Sequence, residues 1–384
     1  MKKYLLSFAV MMMGAALLTA CGDDDTTPTP DPIPTPELVD VSEGLFIVGS
    51  GNTRANIDGN LSYINYNMGF AIGNAFQAVN GKSVGKTANY VTIYGSKLYV
   101  VVDGEATIWV CDKKTLKVQK QLSTTDLLGA TDGKSPRAAL GNDGKLYFTC
   151  YGASGDGGDG IVAAVDTVNF AKQATYTVGS YPDGIALANG QLYVCNSDYS
   201  KGQRPSISKI NLASGAVSTL TNEVITNPMM ITAIGNDIYY LDYGTFDANW
   251  NQTGQGVRKI TADDQVTMIM DGTVMGSDGK RVFAANAPYG GTTTTYSIYD
   301  PATAKVTAWQ PENVLSPAVI AADPVTGNIF ITSYSPDPDT GAASYKIPTY
   351  TNQYDANGKL VKTYYNTATG AVAAVFNTNK AYVQ

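Results

Sequence analysis

Apolar and polar residues alternate with period two through most of the chain after Gly44, and no stretch sustains the spacing of an amphipathic helix. One unit repeats: a turn carrying Gly, Asn or Asp, then a short strand centred on an aromatic. It reads Leu45-Phe46-Ile47, Leu98-Tyr99-Val100, Leu146-Tyr147-Phe148, Leu192-Tyr193-Val194, Ile238-Tyr239-Tyr240, Val282-Phe283-Ala284 and Ile329-Phe330-Ile331. Successive aromatics lie 53, 48, 46, 46, 44 and 47 residues apart.

Before most aromatic strands stands another, such as Tyr90-Val91-Thr92-Ile93 or Gly184-Ile185-Ala186-Leu187. After them comes a strand that ends in an acid or amide entering a turn: Trp109-Val110-Cys111-Asp112, Ala164-Val165-Asp166, Ile210-Asn211 and Ile298-Tyr299-Asp300. A more polar strand comes next, as in Val217-Ser218-Thr219-Leu220 or Val306-Thr307-Ala308-Trp309. Four strands per unit, repeated seven times at this length, predict an all-β chain folded as a seven-bladed β-propeller. The first unit lacks its leading strand, and a surplus strand, Ala371 to Phe376, stands after the last. Docking the surplus into the first blade would close the ring and protect the sheet edges. Ala381-Tyr382-Val383 echoes the aromatic strand without a place of its own.

The opening residues break this pattern. Lys2 and Lys3 precede an apolar run, Leu5 to Leu18, that is too short to span a bilayer and reads as a secretory signal. Its end, Leu18-Thr19-Ala20-Cys21, resembles the bacterial lipobox, which makes Cys21 the expected site of lipidation. Gly22-Asp23-Asp24-Asp25 resembles the acidic tag of lipoproteins exposed on the outer face of the outer membrane in the Bacteroides group. From Thr26 to Pro36 threonine, aspartate and proline alternate, a composition for an extended tether. The expected organisation is a signal peptide at 1–20, a lipidated cysteine and tether at 21–40, and the propeller at 41–384.

Charge and composition narrow the function. The chain carries −7, and loss of Lys2 and Lys3 with the signal leaves −9, which disfavours nucleic acid as a partner. A lipid anchor is the only expected membrane contact, and a monomer is expected. Histidine is absent, so the commonest general base, the commonest transition-metal ligand and every Ser-His-Asp arrangement are missing. Gly155 to Gly160 is glycine-rich but opens no helix, and reads as a loop rather than a phosphate cradle. Asp183, Asp242 and Asp247 fall in or near predicted loops, where turn and capping roles are more common than catalysis. Asp156 and Asp159, and Asp337 and Asp339, offer oxygens to a hard cation but match no calcium pattern and read as solvated acidic loops. Cys111, Cys150 and Cys195 lack metal-type spacing and read as small strand residues with at most one disulfide. No cofactor, metal or catalytic set is expected, and a binding protein is favoured over an enzyme.

In a propeller the connections between blades, and those between second and third strands, emerge on one face around the central channel. Here they carry Tyr151, Tyr199 with Arg204, Tyr243, Phe246, Trp250, Tyr289 and Tyr334, joined by Tyr90, Arg137, Tyr181, Asp183, Met229 and Met230 at the entrances to blades. Large aromatic bodies with polar tips suit capture of a flat or bulky ligand.

Asn80-Gly81-Lys82, Tyr94-Gly95-Ser96-Lys97-Leu98-Tyr99, Ser135-Pro136-Arg137, Cys150-Tyr151, Val165-Asp166-Thr167 and Asp323-Pro324-Val325-Thr326-Gly327 together resemble the YncE-like surface propellers of Bacteroides, from about Gly44 to Phe376. Asp166-Thr167-Val168 also resembles the O-glycosylation acceptor of exported proteins in that group. Some members of the group are cobalamin-binding lipoproteins seated on a TonB-dependent outer-membrane vitamin B12 transporter. The resemblance therefore implies capture of a corrinoid or other nutrient for such a receptor. The matching segments frame blades, so they bear on fold more directly than on ligand. The competing expectations are a propeller that contacts another protein or a glycan, as in a surface layer, and, less favoured, an enzyme using loop carboxylates.

Overall fold

The computed structural model describes residues 37–197 and 204–383. The signal, Cys21, most of the tether and Tyr199 lie outside the described residues. Between Val39 and Ala381 the chain forms one compact unit.

Seven four-stranded antiparallel sheets are arranged in a ring, and in blades 2 to 7 the leading strand lies nearest the axis. Blade 2 runs Ala88–Tyr94, Lys97–Val102, Thr107–Asp112 and Val118–Ser123 from inside to outside. The inner strands of blades 3 to 7 are Pro136–Asn142, Pro182–Ala188, Pro228–Ile234, Val274–Ser277 and Pro317–Ala322. Blade 1 is made from both ends: Glu37–Gly49, Asn60–Asn65 and Phe70–Ile72 pair in order, and Ala371–Val383 adds the inner strand beside Glu37–Gly49. The closing strand is the surplus segment expected from the sequence, and it extends far enough to include Ala381-Tyr382-Val383.

The repeated aromatic has a packing reason. Seven apolar clusters fill the wedges between neighbouring blades, and each holds one of these rings: Phe46, Tyr99, Tyr147, Tyr193, Tyr239, Phe283 and Phe330. A wedge widens outward from the axis, so a large flat side chain on the second strand plugs it where a small one would leave a void. Removing such a ring costs about 3–5 kcal/mol in a core. Cys111, Cys150 and Cys195 are buried in these wedges as free thiols.

The acid or amide at the end of the third strand caps its own turn. Asp112 accepts from the Lys114 and Thr115 backbones, Asp166 from Val168 and Asn169, and Asn211 from Ala213 and Ser214. The side chain stands in for a missing backbone partner and fixes the reversal.

Two α-helices, two 3-10 turns (Thr53–Ala55 and Gly152–Asp156) and a hairpin depart from the plain repeat among the described residues. Short helices Ala75–Asn80 and Thr124–Leu128 stand in the connections into blades 2 and 3; at six and five residues they are too brief to leave a helical period. Blade 5 inserts a two-stranded hairpin, Thr245–Phe246 with Gln252–Thr253, between its second and third strands.

Candidate functional site: the mouth of the central channel

The inner strands enclose a channel of about 730 Å³, within the size range of small-molecule sites. Its walls are largely apolar, with Ile93, Val319, Ala321, Ala373 and Val375, interrupted by Thr232, Ser277 and Asp278, and a polar network stands at one mouth.

Two repeat positions build that mouth. The first is a bulge at the start of the inner strand, where register slips in blades 2, 3, 4, 5 and 7. The residues left out of the pairing are Asn89, Arg137 with Ala138, Asp183 with Gly184, Met229 and Ala318, and all of them line the channel. A bulge leaves a residue outside the ladder and turns its side chain away from the sheet's regular alternation. In four of these blades the bulge comes after a proline that opens the strand, where its missing N–H costs no ladder bond.

The second position is the first residue after the second strand. Its backbone N–H bonds the carbonyl just before the inner strand: Asp103 to Thr87, Tyr151 to Ser135, Ser197 to Tyr181, Tyr243 to Asn227 and Tyr334 to Ser316. In these five blades one bond thus carries both positions to the same face.

In blades 2 to 4 the two positions meet in a polar network. Arg137 Nε donates to Asp183 at 2.8 Å and Nη1 to Asp103 at 2.9 Å. Asp183 also accepts from the Tyr151 hydroxyl at 3.1 Å and from Ser197 Oγ at 2.9 Å. The guanidinium lies over the Tyr151 ring at 4.7 Å, and Tyr181 meets that ring edge-on at 5.1 Å. Burial works against the arginine's charge, but Asp183 and then Asp103 outweigh it and hold Arg137 charged above its ordinary range. Burial, followed by the Asp183 carboxylate, pushes the Tyr151 phenol up. Arg137 lines the channel held on two sides, and its third nitrogen, Nη2, takes no hydrogen bond among the described residues.

The rest of the mouth is less polar. Met229, Met230 and Tyr243 of blade 5, Tyr334 of blade 7 and Tyr90 of blade 2 line it, and burial pushes the phenols of Tyr90 and Tyr243 up and that of Tyr334 to about 12. All three remain neutral hydrogen-bond donors at physiological pH.

The expected site residues therefore separate into two places. Tyr90, Arg137, Tyr151, Asp183, Met229, Tyr243 and Tyr334 gather at the mouth, with Tyr181 packed on Tyr151. Phe246 and Trp250 stand on the inserted hairpin and Tyr289 on the neighbouring loop of blade 6, outside the channel lining. Asp103, Ser197 and Asn89 were not expected at the site. The recurring proline-led entrance could have drawn attention to Asn89's position, but Asp103 and Ser197 share a repeat position, not a residue type.

The other carboxylates serve the fold. Asp242 is fully buried and accepts from Thr226 N and Oγ1, Asn227 N and Gly244 N. Asp247 accepts from Asn249 N, Asn251 N and Asn251 Nδ2, and the Asn251 side chain first, then its backbone, lowers the Asp247 pKa. Asp337 caps its turn through Asp339 and Thr340, and Asp159 is tied to Arg204 at 3.0 Å. Among the described residues no group of three His, Cys, Asp or Glu side chains is placed to hold a metal ion. Thr167 is buried and its hydroxyl donates to Gly144 O, so the acceptor of the glycosylation-like motif is committed to the turn.

No protein-family model matches the chain, and no curated protein matches it. Among solved structures, a chain of the hydrazine synthase of Kuenenia stuttgartiensis is similar over 77% of this chain and 95% of its own, with a TM-score of 0.51 and 16% identity. A chain of a nidogen/laminin complex covers 74% of this chain and 97% of its own at a TM-score of 0.44 and 13% identity. At this identity the first likeness concerns the fold alone.

Proposed function

We propose that this chain is a lipid-anchored protein of the outer membrane, exposed at the cell surface, that captures a ligand over the channel mouth for a TonB-dependent receptor. The ligand we propose is a corrinoid. One observation carries the capture reading: a rigidly held arginine with a spare N–H edge shares the mouth of an open, largely apolar channel with neutral phenols and two methionines. Arg137 is flanked by two carboxylates, so the network is net negative and favours a neutral acceptor over an anion. A corrinoid fits both halves, since its flat, bulky body suits tyrosine and methionine and its fringe of amide carbonyls suits Arg137 Nη2.

Calorimetric titration of the purified protein with cyanocobalamin tests the reading. We expect saturable one-to-one heat that is at least tenfold weaker in Arg137→Met. Absence of heat at micromolar protein would overturn the corrinoid assignment and leave contact with another chain or a glycan as the working function.

A further inference from the structure

A second aromatic cluster lies on the same face, away from the channel. Phe246 and Trp250 sit on the inserted hairpin with ring centroids 6.2 Å apart, and Tyr289 is presented by blade 6. The two loops are fastened together: Gln252 N donates to Tyr289 O at 3.0 Å, and Tyr289 N to Gln252 Oε1 at 3.1 Å. Gln252 Nε2 is anchored in turn on Tyr243 O at 2.8 Å.

The fold gains little from these rings. Trp250 is 66% exposed, Tyr289 65% and Phe246 42%. Trp250 also adopts φ +65°, a left-handed conformation that disfavours a bulky side chain. The turn around it is made without its ring, by Asp247 accepting from Asn249 and Asn251 and by Trp250 N donating to Asp247 O. Glycine or asparagine would fill that position with less strain. Exposure and backbone strain thus coincide on one residue that the turn does not require.

The surroundings define the ligand's chemistry. Residues 243–256 and 286–296 include a single formally charged side chain, Asp247, and its carboxylate is occupied within the turn. Everything else polar is hydroxyl or amide: Thr245, Asn249, Asn251 and Thr253 on the hairpin, and Thr292, Thr293 and Thr295 beside Tyr289 are exposed. On these two loops an ionic partner finds no free counter-charge, and Arg258, which donates to Gly254 O from beneath the hairpin, is buried beside Asp242. A sugar ring presents a face of C–H groups to stack on an aromatic and a rim of hydroxyls to meet amides and hydroxyls.

We infer that the Phe246–Trp250–Tyr289 platform is a binding site for an uncharged saccharide, separate from the channel mouth. Affinity electrophoresis of the whole protein through gels containing a neutral β-glucan, xylan or mannan tests this, with polygalacturonate as the charged control. We expect retardation on at least one neutral polymer and none on polygalacturonate. Retardation should fall at least tenfold in Trp250→Gly and Tyr289→Ala and persist in Arg137→Met. Trp250→Gly should unfold at no lower temperature than the parent, because the strained φ is relieved, which separates lost binding from lost folding. Migration unchanged by all three neutral polymers, or retardation that survives both aromatic substitutions, would overturn the assignment, whatever the outcome with cyanocobalamin.

Discussion

Asp183 accepts bonds from three side chains of two different blades, and little else could replace it. Its removal leaves Arg137 with Asp103 as its one carboxylate and takes an acceptor from the Tyr151 and Ser197 hydroxyls, of which Ser197 keeps Tyr181 O at 3.1 Å. Asp183→Ala should therefore lower stability by about 3 kcal/mol in denaturant unfolding, the low end for breaking a buried ion pair, because Asp103 still balances Arg137. A loss below about 1 kcal/mol would mean that water replaces the carboxylate. The residue types at this site were readable in part. Pro136, Pro182 and Pro228 stand 46 residues apart, each directly before a residue that faces the channel. The residue after each proline is Arg, Asp or Met in turn, and no pattern of hydrophobicity announces that the first two pair. Pairing depends on adjacency across the ring, which a sequence read blade by blade does not contain.

Elements behave more regularly. The plugging aromatic and the turn-capping acid recur because each blade meets the same wedge and makes the same reversal, so blade number and closure could be read from the chain. The inserted hairpin could not, since its two-residue strands are shorter than any period. The inner strands carry a tighter constraint. A Cβ on Gly276, in blade 6, would collide with the backbone carbonyl of Ile320 in blade 7. Its backbone conformation is ordinary, so close approach of two strands, not φ, requires glycine there. Gly276→Val should cost about 1–3 kcal/mol, the range for forcing extra volume into a packed site. The thermal midpoint should drop accordingly, whereas a valine at an exposed outer-strand position such as Thr307 should leave it unchanged.

For the whole molecule, the groups whose proton affinity changes on folding lie at the two ends of the pH scale. With no histidine, nothing of that type titrates near neutrality. The carboxyls of Asp112, Asp166, Asp247 and Asp337 are lowered chiefly by hydrogen bonds, so their stabilising effect is present above the unfolded range near 4 and lost as pH falls below it. Burial raises Tyr99, Tyr296 and Tyr334 to about 12. An unfolded phenol ionises near 10, so between about pH 10 and 12 the unfolded chain releases protons that the native one keeps, and stability falls. Lys113, lowered by burial, works in the opposite direction but is a single group against several phenols. Burial also raises the Cys111, Cys150 and Cys195 thiols, which ionise near 8.5 when unfolded, so thermal melts should show a plateau from about pH 5 to 8 with losses on both sides; an inflection near pH 6.5 would contradict this. The joint in blade 1 has a consequence in time. Blades 2 to 7 each draw on one continuous stretch, whereas contacts such as Asn377 with Glu43 span 334 residues. A chain that emerges from its N-terminus, at a ribosome or a translocon, can assemble six blades as they appear but holds the first one open until the final strand arrives. Until Ala371–Val383 has been made, the edge of Glu37–Gly49 that it will cover stays unpaired, so the ring closes only after its last blade has been built.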